Sequence, residues 1–404
     1  AFMGCTSLKH LIIPNSINEM SDLILCTRVL GEKLPKLKYN YYKSGSYLGN
    51  DENPYLWLIE GSNGEWGSPE EIHKDCKFID DYAFQNNPTL NTITISNNVI
   101  SIGQEAFSSC ENLTNVTISS NVTNIGYGAF SGCTKLTSIK IPNGVTSIGS
   151  EILTGTGYYG AEDNWVDGVL YVGNYLIATK SDISSCKIIE GTELIVDSAF
   201  QYRYSLTSIT IPSSVTSIGG GAFSGCTALT DITLNNGVKS IGWGAFYCCW
   251  NLTSITIPSS VTSIGDGAFE KCSGLISITV NTGNKVYDSR NNCNAIIETS
   301  TSSLMVGCKN TQIPNDITSI GDRAFSGCTG LTSIIIPSSV TSMGRGVFVE
   351  CSELTIYCVA TWRPRKWDLY WVSGCPVYWY SETQPTTEGN YWRYDTDGKT
   401  PLKW

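Results

Sequence analysis

Apolar and polar positions alternate in short bursts along this chain, and the bursts themselves recur at a fixed interval. In the stretch 206–226, LTSITIPSSVTSIGGGAFSGC, Ile209 and Ile211 alternate with Ser208 and Thr210. A period of two predicts a short strand with its isoleucines facing a core and its hydroxyls facing out. Pro212 has no N–H to give to a ladder and ends that strand. Ala222, Phe223, Cys226 and Leu229 then fall at i, i+1, i+4 and i+7, a spacing that predicts one face of a short helix. Gly219 is expected to relax the backbone just ahead of it.

The longer period is the dominant feature. Phe84, Phe107 and Phe130 are 23 residues apart, and Leu153 holds the next place in that series. Phe200, Phe223, Phe246 and Phe269 repeat the interval, as do Phe325 and Phe348, and with Phe2 there are eleven such anchors. A regular period of this length is the signature of a solenoid, in which each unit is too small to bury its own apolar face and must stack on its neighbours. The prediction is a leucine-rich-repeat solenoid: a right-handed coil of short parallel strands with short helices or turns and a 23-residue repeat. Strands ~4.8 Å apart would build a sheet roughly 50 Å long.

The interval is interrupted between Phe2 and Phe84, between Leu153 and Phe200, and between Phe269 and Phe325. Each gap carries strand-like sequence. The run 169–178, VLYVGNYLIA, reads as a hairpin turning on Gly173 and Asn174. Residues 295–299 and 303–307 flank a polar turn in the same way, and Tyr55–Glu60 supplies a matching strand in the first gap. These gaps predict three hairpin-bearing inserts, near 15–78, 154–195 and 281–312, within one solenoid over 1–358. An aromatic C-terminal cap follows over 359–404.

The motif of Leu, Ile, Ile-Pro, Val, Ile-Gly, Ala-Phe and Cys resembles the BspA-type leucine-rich repeats of surface proteins from host-associated bacteria. Ile141-Pro142 to Ile148-Gly149 and Ile257-Pro258 to Cys272 match it almost position for position. The inserts around Tyr47–Tyr55 and Val286–Glu298 and the tail around Val377–Glu382 and Gly389–Trp392 are similar to segments of that family as well. The resemblance implies secretion or surface attachment and a role in adhesion to host proteins or other cells. It transfers no binding site, because the shared positions are core positions. Asn87 and Arg203 depart from it where the repeat has Cys, and Leu153 where it has Phe.

Composition narrows the function classes. Charged residues are 15% of the chain and the net charge is -10, which argues against nucleic acid, since phosphate binding needs a basic surface. No apolar run reaches the ~18 residues that span a membrane, so membrane insertion is not expected of this segment. The chain opens at Ala1–Cys5 in mid-repeat, which implies a preceding segment, and the absence of a leader here says nothing about compartment.

Catalytic and metal chemistry find little support. Of the 16 cysteines, Cys5, Cys110, Cys133, Cys226, Cys249, Cys272, Cys328 and Cys351 all lie three residues after an anchor. Their spacing is set by the repeat, which predicts a buried ladder of free thiols. Cys293 with Cys308, and Cys358 with Cys375, are candidate disulfide pairs that sequence leaves open. His10 and His73 are isolated. Asp395, Asp397 and Gly398 resemble the start of a calcium loop, but the spacing is wrong and a turn is expected. Asp80-Asp81 and Glu70-Glu71 read as solvated pairs. No nucleophile elbow, HExxH or phosphate loop is present, so no catalytic residue, metal or cofactor is assigned.

Two surfaces are candidates for binding. The outward strand positions form a ladder: His10 and Ile12; Thr92 and Thr94; Asn115 and Thr117; Ser138 and Lys140; Ser208 and Thr210; Asp231 and Thr233; Ser254 and Thr256; Ser277 and Thr279; Ser333 and Ile335. From Asn115 to Thr256 this is the candidate concave binding face, for a host or neighbouring-cell surface protein. The second is the tail, which holds six of the 11 Trp residues. There Trp362, Arg363, Arg365, Trp367 and Trp371 form a basic-aromatic cluster; a hydrophobic cap over the open core of the last coil is the expected role of the tail, with ring stacking on a glycan partner as the alternative. A structural spacer displaying another domain is the third reading.

Overall fold

The structure, a computed structural model, describes residues 40–42, 45–49, 51–61 and 71–404; Phe2, Cys5, His10, Ile12 and Glu70 lie outside the described residues. It comprises two compact units, 1–178 and 179–404. Each is a β-solenoid.

In the second unit the sequence period becomes the strand register. Ser208–Ile211 pairs in parallel with Asp231–Leu234, placing Ile209 opposite Ile232, 23 positions on. A second short ladder joins Ser217–Ile218 to Ser240–Ile241 and then to Ser263–Ile264. The alternation holds: Ile209, Ile211 and Ile218 are buried, while Ser208 and Thr210 are exposed. The first unit repeats the scheme, with Phe78–Ile79, Ser101–Ile102, Asn124–Ile125 and Ser147–Ile148 stacked in parallel.

Around each anchor the backbone forms consecutive turns where the i, i+1, i+4, i+7 spacing predicts a helix. The N–H groups of Ala222, Ser224 and Cys226 donate to the carbonyls of Gly219, Gly221 and Phe223 within the coil. Those of Gly221, Phe223 and Gly225 donate to Trp243, Ala245 and Tyr247 of the next coil. A helix would direct every N–H along its own axis; the alternating scheme leaves half of them to tie coil to coil and still satisfies the backbone. The geometry needs left-handed φ two residues before and after each anchor, as at Gly221 and Gly225 (58° and 73°) and at Ser198 and Tyr202 (58° each).

Gly219 has a different role from the one its place suggests. Its φ is not left-handed, and a Cβ there would stand 2.5 Å from the amide nitrogen of Asp197 and 2.6 Å from the carbonyl carbon of Val196. This glycine marks the closest approach of one coil's backbone to the coil before. Val196 and Asp80 occupy the same repeat position in the first coil after an insert, where no regular coil precedes them.

The anchors stack. Phe200, Phe223, Phe246 and Phe269 have centroids 4.8, 5.3 and 5.2 Å apart, near parallel, as do Phe84, Phe107 and Phe130. The repeat cysteines are buried and free, and they do more than fill space. The Sγ of Cys226, Cys249 and Cys272 donate to the carbonyls of Phe200, Phe223 and Phe246 at 3.0, 3.2 and 3.1 Å. Each thiol thus pins its coil to the previous anchor. Burial pushes the Cys226 and Cys272 thiols up to about 12.

The hairpins expected in the gaps are present and merge into the stacks. Ala295–Glu298 pairs antiparallel with Ser303–Gly307, which pairs in parallel with Ser319–Ile320. Trp57–Glu60 joins Phe78–Ile79 in the same manner, and Val169–Val172 and Tyr175–Thr179 flank Gly173 in one sheet. The hairpin strand brings a glycine under the first ring of the next block: a Cβ on Gly61 or Gly307 would lie 1.9 or 2.1 Å from the ring of Phe84 or Phe325. With no anchor carbonyl of the usual kind behind them, the coils of Phe84 and Phe200 depart from the cysteine rule, whereas Cys328 keeps it and donates to the Gly307 carbonyl instead. Arg203 donates to Thr179 and Gln201, and buried Asn87 accepts from Thr89.

The tail begins as another coil. Trp371 lies 23 residues after Phe348 and meets its ring edge-to-face at 6.0 Å, and the Cys375 Sγ donates to the Cys351 carbonyl at 3.2 Å. Lys366–Trp367 pairs with Ser342–Met343. In the other ladder, Val377–Tyr380, Tyr391–Tyr394 and Pro401–Lys403 extend the sheet of Ser333–Ile336 and Thr355–Cys358, and fully buried Trp392 donates Nε1 to the Cys358 carbonyl.

Candidate functional site

The outward strand positions face solvent where the expectation placed them. Thr92, Thr94, Asn115, Thr117, Ser208, Thr210, Asp231, Thr233, Ser254, Thr256 and Thr279 are exposed, and Ser277 is half-buried. Ser185 and Lys187, missed because they lie at the end of an insert, pair with Ser208 and Thr210 and extend this face. The expectation of one unbroken sheet needs correction. Among the described strands, Thr92–Thr94 pairs with Asn115–Thr117, with one further bridge from Thr94 to Glu71, the run from Ser185 ends at Leu234, and Ser254–Ile257 pairs with Ser277–Val280. Near Ser333 and Ile335 the tail returns, so that Tyr394, Lys399 and Pro401 help line a hollow of about 720 Å³ there.

The break after Asn115–Thr117 has a local cause. Ser138–Lys140 takes no part in a strand, although its pattern matches the other coils. The following insert engages that coil instead: the Tyr158 N–H donates to Leu136 at 2.8 Å, and the Tyr175 hydroxyl donates to Pro142 at 2.9 Å. An open groove of about 530 Å³ results, lined by Asn115, Thr117, Ser138 and Lys140 above Val116, Ile118, Ile139 and Pro142. Val116 and Ile118 are buried and Ile139 and Pro142 half-buried, so the floor is apolar and the rim carries hydroxyl and amide groups. Lys140 is the one charged side chain in the lining. Four of the predicted residues therefore meet in a concavity, and the remaining six lie on flat sheet.

The tail cluster does not hold together. Trp362 is 74% exposed, but Trp367 and Trp371 are 2% and 4% exposed within the core. Trp367 donates Nε1 to Val340 and meets Trp371 edge-to-face at 5.0 Å. Both replace smaller apolar residues of the repeat, so they cap a stack of side chains and offer no ring face to a ligand. Arg363 and Arg365 remain at the surface with Trp362.

The other candidates resolve as structural groups. His73 stacks on Tyr55 at 3.9 Å, and burial holds its pKa below the ordinary value. Cys293, Cys308, Cys358 and Cys375 are free, so neither candidate disulfide is formed. Asp395 to Gly398 is a turn closed by the Gly398 N–H on Asp395. Among the described residues, no group of three His, Cys, Asp or Glu side chains is placed to hold a metal ion, and no helix is long and apolar enough to cross a membrane. The sequence reading also passed over Tyr202, Tyr204, Trp243 and Trp250, which are 53–67% exposed. Their positions vary from coil to coil, and that variability inside a strict repeat was the available signal.

Comparison with known proteins agrees with the coil geometry. A family model described as BspA type leucine rich repeat region matches residues 70–189, 193–304 and 301–361, in six copies. No curated protein sequence matches the chain. Among solved structures, a leucine rich cell surface protein from Faecalibacterium prausnitzii aligns at 23% identity, with a TM-score of 0.39, over 85% of this chain and 88% of its own. The pneumococcal vaccine antigen PcpA aligns at 19% identity over 75% and 71%, TM-score 0.36. A leucine-rich repeat protein from Bacteroides ovatus aligns at 22% over 85% and 97%, TM-score 0.26.

Proposed function

The chain belongs to the BspA-type leucine-rich-repeat family, and on that premise we propose that it is a non-enzymatic recognition protein acting at a cell surface or outside the cell. Its site is the groove between Asn115–Thr117 and Ser138–Lys140, and its ligand is an extended segment of a protein partner. The observation that carries this reading is the interruption of the outer sheet. Asn115–Thr117 is an edge strand beside an open groove, and an edge strand presents main-chain donors and acceptors to an added strand. The apolar floor at Ile139 and Pro142 takes alternate side chains of such a segment, and the rim hydroxyls and Asn115 take its polar groups. Lys140 favours a partner segment with a carboxylate near one end of the groove.

The test is quantitative binding of the chain to immobilised extracellular-matrix proteins, comparing the native sequence with Thr117→Arg and Ser138→Arg. Both side chains are exposed, so the substitutions fill the groove without touching the core. Thr256→Arg, on a flat part of the face, is the control. Saturable binding lost with the two groove variants and kept with the control supports the reading. Binding indifferent to the groove variants refutes it.

A further inference from the structure

We propose that the turn side of the coils anchored by Phe200, Phe223 and Phe246 is a binding site for a neutral glycan, with Tyr202, Tyr204, Trp243 and Trp250 as its stacking platform. These residues lie far along the chain from the groove, and the inference does not depend on it. The four side chains are 54%, 61%, 67% and 53% exposed. They are held by a device particular to these coils: the middle coil is stripped to Gly219, Gly220, Gly221 and Gly225, and its neighbours' rings rest on it. A Cβ on Gly220 would lie 2.4 Å from the Nε1 of Trp243 and 2.8 and 2.9 Å from the ring atoms on either side. Those distances describe a point above the ring plane, so the indole lies flat on Gly220 with its other face open. A Cβ on Gly225 would meet Cδ1 and Cε1 of Tyr202 at 2.6 and 3.0 Å, so that ring stands with one edge on the glycine. Tyr204 lies 6.0 Å from Tyr202, tilted by 32°. Tyr204 and Trp250 occupy the same repeat position two coils apart, with Thr227 between them.

The surroundings select the occupant. In the runs 198–204, 220–227 and 243–250 every aliphatic side chain is a buried alanine, the exposed side chains are the four rings, and half-buried Ser198, Gln201 and Thr227 lie among them. Arg203 is the only charged residue in those runs, and its guanidinium is turned to Thr179 and Gln201. A protein hot spot surrounds its aromatic anchors with further apolar packing, which is missing here. An anionic ligand would find no free cation in these runs. Open ring faces separated by glycine and small polar residues fit sugar rings, whose C–H faces stack on aromatics while their hydroxyls bond to Ser198, Gln201 and Thr227. Pre-placing the rings on glycine removes the rotamer entropy that stacking would otherwise cost.

The experiment is an array of neutral hexose and N-acetylhexosamine oligosaccharides probed with the full chain, then titration of the best binder followed by tryptophan fluorescence. Trp243→Ala and Trp250→Ala remove exposed rings only and leave the core intact, which the melting curve verifies. Each is expected to weaken binding at least about tenfold, while Trp362→Ala and the groove variant Thr117→Arg leave it unchanged. The proposal is overturned if the native chain binds no oligosaccharide on the array, if both variants bind as the native chain does, or if the patch captures a protein and no glycan.

Discussion

The repeat contains one glycine, set between the second ladder and the anchor, that meets two different environments. Gly242 and Gly321 both follow the Ser-Ile pair of the second ladder and precede Ala-Phe by the same distance, and the motif alone does not separate them. At Gly242 a Cβ would meet the Gly220 nitrogen at 2.5 Å and the Gly219 carbonyl carbon at 2.6 Å, both backbone atoms. The coils cannot part there, because the Gly242 N–H is held by the Ile218 carbonyl at 2.8 Å and Ser240–Ile241 pairs with Ser217–Ile218. At Gly321, behind an insert, the nearest atom is the Leu304 oxygen at 3.5 Å, an ordinary contact. Gly242→Ala therefore forces two ladders apart and costs about 2–3 kcal/mol, or roughly 5–10 °C in Tm. Gly321→Ala fits, and the loss of chain entropy in the unfolded state leaves it neutral or stabilising by about 0.5 kcal/mol. Urea titration of both variants, followed by circular dichroism, reads the difference directly. Equal effects at the two positions would refute the claim that this glycine is required by coil-to-coil approach.

Further predictions follow from the packing. Phe223→Ala removes a fully buried ring stacked on both sides and should cost about 3–5 kcal/mol in the same assay. Trp367→Ala should be comparably destabilising, whereas Trp362→Ala should fall within about 0.5 kcal/mol of the native chain; matching losses would mean the tail is not built as described. Cys226→Ala should cost about 1–2 kcal/mol and Cys226→Ser less of the hydrogen-bond share, since its hydroxyl can still donate to Phe200; thermal melts of the pair check this. Because burial holds the Cys226 and Cys272 thiols near about 12, above the ordinary ~8.5 of an unfolded thiol, ionisation favours the unfolded chain. Stability should be flat below pH 8 and fall as pH rises from about 9 toward 12, by up to ~1.4 kcal/mol per pH unit for each such thiol. A melt that does not change between pH 8 and 11 would contradict it.

Much of the fold was legible because the period is the register. Ile209 must face Ile232 if units of 23 residues stack, and it does. The helix around Phe223 was misread because i, i+1, i+4, i+7 is also satisfied by linked turns. Gly221 and Gly225 on either side of the anchor, each needing left-handed φ, were the evidence against a helix. The capping role of the tail was legible from its tryptophans, but the split of the cluster into exposed Trp362 and buried Trp371 was not taken from the one signal for it, the ordinary 23-residue distance of Trp371 from Phe348. The groove was not legible at all. Ser138–Lys140 has the pattern of a strand, and only contacts from Tyr158 and Tyr175, in the following insert, distinguish it.

The central claim is that a partner is held in the groove beside Asn115–Thr117. Hydrogen–deuterium exchange on the chain, with and without a matrix protein that binds it saturably, tests this at the backbone. The account predicts that protection on binding concentrates in peptides covering 115–120 and 138–142, as an added strand occupies the open edge. Protection confined to other segments, with those peptides exchanging as in the free chain, would contradict it.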